Sequence, residues 1–366
     1  MYILTLNAGS SSLKFAVFDA VKPEAIMRGQ ISAQDNGLVL SSGKIRLVLP
    51  SDAVLSKTLP LLLDWLEEQG YASHQLSGIG HRIVHGGTEF TQPVIVDDLI
   101  LQQLDELRAL APLHLPFGLG MLRVMKELLP KLPNIACFDT AFHSTQGELA
   151  TRLPLPREYH DKGYRRYGFH GLNYEHVVRQ LPRQTQKPLP QRLLAAHLGS
   201  GASMAAIVDG RSVATTMGFS TADGLVMGTR TGSLDPGVLI ALMRDQHMGP
   251  SDLEDLLYRR SGLLGLSGIS AYMHLLLGSD RPAAAMAIDY YCYAAARYAG
   301  SLIVAMNGID DVVFTGGIGE NAGVIRDKIM RHLQWLNIAK DKVHVVPADE
   351  EATIARHVAE VLALNH

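Results

Sequence analysis

One stretch of this chain occurs twice. Residues 2–19 read YILTLNAGSSSLKFAVFD, and residues 193–209 read LLAAHLGSGASMAAIVD. The second lies on the first at one constant offset, without a gap: Leu4 falls on Leu194, Gly9 on Gly199, Ser10 on Ser200, Ala16 on Ala206 and Asp19 on Asp209. Each copy reads as an apolar strand, a tight turn of small residues and a second strand. Glycine lets the backbone approach a ligand closely, and serine hydroxyls add donors to backbone N–H groups. Such a turn suits a phosphate held by uncharged donors, with Lys14 as the positive charge beside the first copy. An ordinary Gly/Ser hairpin has the same composition. Two copies in one chain point to two related lobes, each supplying a hairpin to a shared cleft; chance similarity of two small-residue hairpins is the alternative. The period is too long for a solenoid, so a duplicated domain is the natural form.

The length of 366 residues accommodates two domains of ordinary size. A composition of 47% hydrophobic and 19% charged residues suits a globular protein with a large core. The formal net charge of −3 gives no general attraction to polyanions, so phosphate binding must be local, and neither a nucleic-acid binder nor a basic membrane-surface helix is indicated. No apolar run approaches the roughly 20 residues that cross a bilayer. The start, MYILTLNAG, lacks the basic and apolar regions of a signal peptide. Cys137 and Cys292 lie in apolar surroundings and read as reduced core thiols. A cytoplasmic enzyme fits all of this.

Between and after the hairpins, pattern and turn chemistry predict strands over 45–49, 79–84, 135–143, 311–315 and 343–346. Helices are expected over 56–69, 96–110, 118–129, 237–244, 251–261, 271–277, 282–306 and 351–364. Residues 157–166 and 181–192 read as polar surface chain. His81 and His85 stand four apart on a strand, which does not make a shared metal face, and no HExxH pattern is present, so zinc is not expected. Arg82, inside an apolar strand, requires an anion or a carboxylate; an internal ion pair satisfies it equally. Pro112 and Pro116 fix the backbone around His114. Asp139 ends a buried strand, the position that lines ligand crevices in α/β folds, though a turn or helix-capping acid sits there too. His170 lies between glycines in YGFHG, and Arg230 lies in the glycine-rich MGTRTGS, a loop suited to close approach of a phosphoryl group. The strand ending at Thr315 empties into GGIGEN, a strand-to-helix turn of the kind that contacts nucleotides without the dinucleotide spacing.

Taken together, LNAGSSSLKF, GHRIVHGG, APLHLP, FDTAFH, YGFHG, HLGSGAS, MGTRTGSLDP, FTGGIGENA and VPADEEATIAR resemble the acetate kinase (acetokinase) family, which includes propionate and butyrate kinases. The stretches come in the family's order and span nearly the whole chain. The resemblance implies an α/β fold of the actin, sugar kinase and chaperone ATPase superfamily: two ribonuclease-H-like lobes, a duplicated βββαβαβα arrangement, with an interdomain cleft. The lobes are expected at 1–142 plus 352–366 and at 143–351, the second binding nucleotide and forming a homodimer. The implied reaction is reversible transfer of the ATP γ-phosphate to acetate, giving acetyl phosphate and ADP, with Mg²⁺ or Mn²⁺. A kinase for propionate or butyrate, a kinase with another phosphoryl donor, and a non-catalytic nucleotide-binding regulator are the alternatives.

Carried over by position, Asn7 and Glu350 organise the metal site, with Asp139 nearby. Arg82 holds the acyl carboxylate, Arg230 stabilises the transferring phosphoryl group, His170 donates to it, and His114 shapes the site. His197, Gly199 and Gly201 line the nucleotide phosphates, while Gly317, Ile318 and Asn321 border the adenine. Val84, Leu113 and Phe169 wall the acyl tail. The chain departs from the family at Tyr272 and His274, where an acid and an arginine are usual near the nucleoside, so nucleotide preference stays open. Ser200, Leu115 and Thr221-Ala222-Asp223 depart as well.

Overall fold

The computed structural model describes residues 1–9, 12–34, 37–50 and 58–364. Ser10 and Ser11 of the first turn, and Ser56 and Lys57 of the expected first helix, lie outside the described residues. The chain divides into two units, Met1–Ala141 with Asp349–His366, and Phe142–Ala348. The return to the first unit thus comes at Asp349, earlier than the expected residue 352. The last helix, Glu350–Leu364, already begins there, with the Asp349 carboxylate accepting the Ala352 N–H at 2.9 Å as its cap. Glu350 and Glu351 therefore belong to the first unit.

The first unit is built on a sheet of β1 (Tyr2–Ala8), β2 (Ser12–Asp19), β3 (Ala25–Gln34), β4 (Gly37–Ser42), β5 (Ile45–Val48), β6 (Leu76–Ile83), β7 (Val94–Ile95) and β8 (Asn134–Phe138). Their order is β5-β4-β3-β2-β1-β6-β8-β7. The hairpin β1–β2 is antiparallel and pairs Asn7 with Lys14, whereas β6 runs parallel to both β1 and β8. One core joins Leu4, Leu6, Phe15 and Val17 of the hairpin to Leu62, Trp65 and Leu66 of helix Leu59–Glu68 and Met121 and Met125 of helix Leu115–Leu128. Burial of this kind contributes about 25 cal/mol per Å² of apolar surface. The last helix lies directly on β6: a Cβ at Gly80 would run into Ile354 and Val358, and glycine there allows the close approach.

The second unit repeats the plan. Strands β9 (Arg192–Leu198), β10 (Ala202–Val208), β11 (Arg211–Thr215), β12 (Asp311–Thr315) and β13 (Val343–Val345) lie in the order β11-β10-β9-β12-β13. Strands β9, β10 and β11 are antiparallel neighbours, and β12 joins β9 and β13 in parallel. Both sheets thus share the expected α/β duplication, three meandering strands with two parallel ones on the far side of the first; in the first unit β4 and β5 extend the meander and β7 lies antiparallel on β8 at the far edge. Helix Gly171–Thr185 packs Tyr174, Val177 and Leu181 against Leu193, Ala195, Ala205 and Ile207.

Several boundaries differ from the sequence reading. Residues 181–185 continue helix Gly171–Thr185 rather than forming a loop, because burial of Leu181 on the sheet overrides Pro182 in the last turn. The expected helix 96–110 starts at Asp98, capped by the Asp97 carboxylate on the Ile100 N–H at 2.8 Å, and tightens to a 3₁₀ turn over Leu107–Leu110. The strand expected over 135–143 ends at Phe138. Residues 157–161 form a short helix, Arg157–Asp161. Strands β3, β4, β7 and β11 and helix Gly323–His332 were not anticipated; β3 buries only Ile31 and so lacks a strong apolar signal.

Candidate active-site groups in each unit

In the first unit, neighbouring strands bring Asn7, Arg82 and Asp139 to one end of the sheet. Asn7 sits near the end of β1, Arg82 near the end of β6, and Asp139 follows β8. The Arg82 Nε and Nη2 both donate to Asp139 Oδ2, at 2.9 and 2.6 Å, and Nη1 donates to Asn7 Oδ1 at 3.1 Å. Asn7 Nδ2 in turn donates to Glu350 Oε2 at 2.8 Å and Glu351 Oε1 at 2.9 Å. Guanidinium carries five N–H donors, of which these bonds engage one each on Nε, Nη1 and Nη2. One donor on each terminal nitrogen remains for a planar, two-oxygen ligand such as a carboxylate. Burial works against the Arg82 charge, but Asp139, Glu350 and Glu351 outweigh it and hold the group charged. Burial pushes the Asp139 carboxyl up, Arg82 opposes it, and the Glu350 charge adds to the push.

Asp139 Oδ1 is buried and has no hydrogen-bond partner among the described residues. A buried carboxylate oxygen left in that state is costly unless a ligand meets it. Among the described residues no group of three or more His, Cys, Asp or Glu side chains forms a ready-made cation cage. Oxygen donors in small number suit Mg²⁺, which takes one or two carboxylates together with waters and substrate phosphates. The residues present fit such an ion. The ion-pair and metal readings of Arg82 and Asp139 are therefore not exclusive: one carboxylate oxygen serves the arginine and the other is unused.

Val84 is buried beyond the end of β6, Leu113 is half-buried, and His114 stands immediately before helix Leu115–Leu128 with Pro116 in its first turn. Lys14 projects to solvent from β2, opposite Asn7. His81 Nε2 meets Asn134 Oδ1 at 2.8 Å, and burial lowers its pKa to about 4.

In the second unit the groups are mostly uncharged. His170 adopts a left-handed backbone, φ 59°, at the head of helix Gly171–Thr185. That conformation is uncommon for histidine and directs the ring. Its Nδ1 pairs with Ser203 Oγ at 2.8 Å, and Ser203 Oγ meets Tyr174 Oη at 2.6 Å. The imidazole stacks on His197 with ring centroids 4.1 Å apart and 17° between planes. Asn173 Nδ2 donates to His197 Nδ1 at 2.8 Å, which assigns the neutral ring's proton to Nε2. A Cβ at Gly201 would lie 3.2 Å from both Arg230 Nη2 and His170 Nε2, so these two nitrogens converge on the bare face of that turn. Arg230 is braced from behind, its Nη1 donating to the Thr221 carbonyl at 2.8 Å.

The turn itself is closed by Gly199 N–H on the Gly201 carbonyl at 2.9 Å. Beside it, β12 gives way to Gly316, φ 79°, where a Cβ would strike the Leu198 carbonyl and only glycine is at ease. Gly199, Ser200, Gly317, Ile318 and Asn321 line one cavity of about 470 Å³, whose other walls include Tyr272, Met273 and His274. The departures Tyr272 and His274 thus stand in the cavity, their rings 5.9 Å apart. Phe169 is buried next to His170.

Sequence reasoning missed Asn173, Tyr174 and Ser203, which orient the two histidines, and the bond from Asn7 to Glu351. Ser203 carried a signal: a hydroxyl inside the apolar run ASMAAIV must find a buried partner. The 3.6-residue spacing after His170 also places Asn173 and Tyr174 on the turn beside it.

A model of the acetokinase family matches residues 2–364. An acetate kinase from Rhodopseudomonas palustris is 43% identical over 387 residues, covering 97% of this chain and 97% of its own. One from Rickettsia felis is 39% identical, covering 98% and 99%. Among solved structures, a propionate kinase from Francisella tularensis superposes with a TM-score of 0.89 at 32% identity, covering 97% of this chain and 98% of its own. An acetate kinase from Porphyromonas gingivalis gives 0.88 at 31%, covering 99% of each.

Proposed function

The chain belongs to the acetokinase family, and from that premise we propose that it transfers the γ-phosphoryl group of ATP reversibly to acetate, giving acetyl phosphate and ADP. The observation that carries this reading is the Arg82 fork, fixed by Asp139 and Asn7 with a donor to spare on each terminal nitrogen. A carboxylate acceptor is already deprotonated, so the reaction needs no general base. The obstacle is the approach of one anion to another, which fixed positive charge and aligned donors relieve. Arg82 holds the acid by two oxygens and leaves a lone pair to attack the γ-phosphorus directly. The bond to the β,γ-bridging oxygen breaks, and its electron pair leaves with ADP.

Arg230 Nη2 and His170 Nε2 meet the charge that spreads over the equatorial oxygens. His197, Gly199 and Gly201 face the remaining phosphates, and Gly317, Ile318 and Asn321 border the nucleoside. Mg²⁺ or Mn²⁺, when bound, neutralises phosphate charge; Asp139 and Glu350 would hold it, with Asn7 orienting Glu350. Val84, Leu113 and Phe169 are the proposed contacts to the acyl tail. Lys14 adds positive charge beside Asn7. His114, held by the prolines around it, helps shape the site.

A second reading keeps the mechanism and changes the partners. Tyr272 and His274 in the cavity favour testing donors other than ATP, and one methylene in the acid is worth only about 1–3 kcal/mol of discrimination. The test is acyl phosphate trapped by hydroxylamine, across acetate, propionate and butyrate against ATP, GTP and pyrophosphate. Turnover with acetate and ATP supports the primary reading; turnover only with another pair moves the specificity. No turnover from folded, Mg²⁺-supplied protein leaves a nucleotide-binding regulator.

We also infer a homodimer formed through the second unit and a cytoplasmic setting. Helix Pro236–Asp245 is largely apolar yet has no buried residue, and Val238, Ile240 and Met243 are exposed. An apolar helix left open in this way is a face for another copy. Ile240→Lys is expected to convert a dimer to a monomer in sedimentation; a wild-type monomer would refute the inference. No described helix is long and apolar enough to cross a membrane.

A further inference from the structure

Strand β3, which the sequence did not announce, carries an arginine that grips the point where the chain re-enters the first unit. Arg28 Nη1 and Nη2 donate to Asp349 Oδ1 and Oδ2 at 2.9 and 2.7 Å, a two-pronged pair. The guanidinium also lies over the Phe18 ring, 5.4 Å from its centroid. Asp349 Oδ1 caps the last helix through the Ala352 N–H at 2.9 Å. Its next two residues are Glu350 and Glu351, which both accept from Asn7.

As a stabiliser the pair counts for little, because Arg28 is 45% exposed and exposed ion pairs contribute about 0–1 kcal/mol. Its geometry matters more. Arg28 Nη1 stands 3.9 Å from Glu351 Oε2, the oxygen that Asn7 does not hold, close enough to pull on that carboxylate. A cavity of about 280 Å³ bordered by Lys14, Arg28, Gln30 and Glu351 gives Glu351 room to move toward the arginine.

We propose that Arg28 and Asp349 are positioning residues: Asp349 occupies the arginine fork, which keeps Glu351 on Asn7 and so holds Glu350 and the Arg82 network in register. The chain of contacts runs from β3 through the helix start to β1 and β6. This rests on the assignment of Glu350 to the metal site made above.

The pair acts unequally, and that asymmetry is the test. Asp349→Asn keeps the helix cap, since asparagine caps as well as aspartate, but removes the charge and one of the two acceptors that hold Arg28, so that Arg28 is drawn toward Glu351 and pulls it off Asn7. Arg28→Gln removes both the grip and the competitor. Binding of Mn²⁺ in the presence of ADP, read from the free-ion electron paramagnetic resonance signal, should weaken about tenfold in Asp349→Asn, the scale on which groups orienting metal ligands act. Arg28→Gln should weaken it less, and the double variant should recover to the level of Arg28→Gln alone. Melting temperatures should stay close to wild type in all three. Glu350→Ala, measured alongside, separates the two levels. If it weakens Mn²⁺ binding while Asp349→Asn does not, or if the double variant is worse than Asp349→Asn, the positioning role is wrong. If Glu350→Ala leaves Mn²⁺ binding unchanged, the metal assignment falls and takes this inference with it.

Discussion

The two units share a sheet and a hairpin yet gather opposite kinds of chemistry. Asn7 in β1 and His197 in β9 occupy corresponding places in the repeat. A glycine N–H closes each turn that follows, Gly9 on the Ser12 carbonyl at 2.8 Å and Gly199 on the Gly201 carbonyl at 2.9 Å, the second turn one residue tighter. The difference arises on the parallel strand beside each hairpin. In the first unit β6 supplies Arg82 and β8 leads to Asp139, so formal charges collect at the strand ends. In the second, β12 opens into Gly316 and Gly317, and backbone amides, two stacked imidazoles and Arg230 take their place. Charge with a spare arginine fork suits a small carboxylate and a hard cation; glycine turns suit a polyphosphate that must come close to backbone. One scaffold holds both because strand ends can change without disturbing the core.

The sharpest way to break this comparison is to remove one arginine from each half. Arg82→Ala and Arg230→Ala should each lose about 10³-fold or more in turnover; Arg230→Ala should melt near wild type, and Arg82→Ala lower, because it leaves the buried Asp139 carboxylate without its partner. Near-normal turnover in either folded variant would remove that residue from the reaction. A smaller change probes the second unit's turn alone. In Gly201→Ala the new methyl presses on Arg230 Nη2 and His170 Nε2. Misplacement of this order should lower kcat by about tenfold to a hundredfold, and steady-state kinetics with unchanged nucleotide affinity would place the effect on chemistry rather than binding.

The smallest expected effect concerns acid sensitivity, where the halves also differ. Burial lowers His81 and His85 in the first unit, and His143 in the second, each to about 4. Their unfolded pKa is about 6.5, so between pH 6.5 and 4 the unfolded chain binds protons that the folded chain refuses. Stability is therefore complete above about 6.5 and falls as the pH drops toward 4. Each histidine contributes a slope of up to about 1.4 kcal/mol per pH unit within that window. Urea melts across the window should show a shallower slope in His81→Gln; an unchanged slope would mean the ring is protonated when folded.

How much of this was legible depended on whether the signal was local. The repeat, the parallel strands and Arg82 could be read because an apolar run interrupted by a charge is conspicuous in one dimension. His170 was legible through its flanking glycines, which permit the left-handed turn. The His170–His197 stack was not, because a contact between residues far apart in sequence leaves no periodicity. Nor was β3 with Arg28, since a strand that buries only Ile31 looks like polar loop. Glu350 was singled out by the resemblance, but its place in the first unit came from the Asp349 cap, a one-residue feature that apolar spacing does not mark.

The most direct measurement of the proposed division of labour is the steady-state kinetics of Arg82→Lys with acetate and MgATP varied independently. Lysine keeps the charge but not the two-oxygen fork. The KM for acetate should rise sharply while the KM for ATP stays near wild type. A raised KM for ATP with acetate unaffected would contradict the assignment of the carboxylate to the first unit.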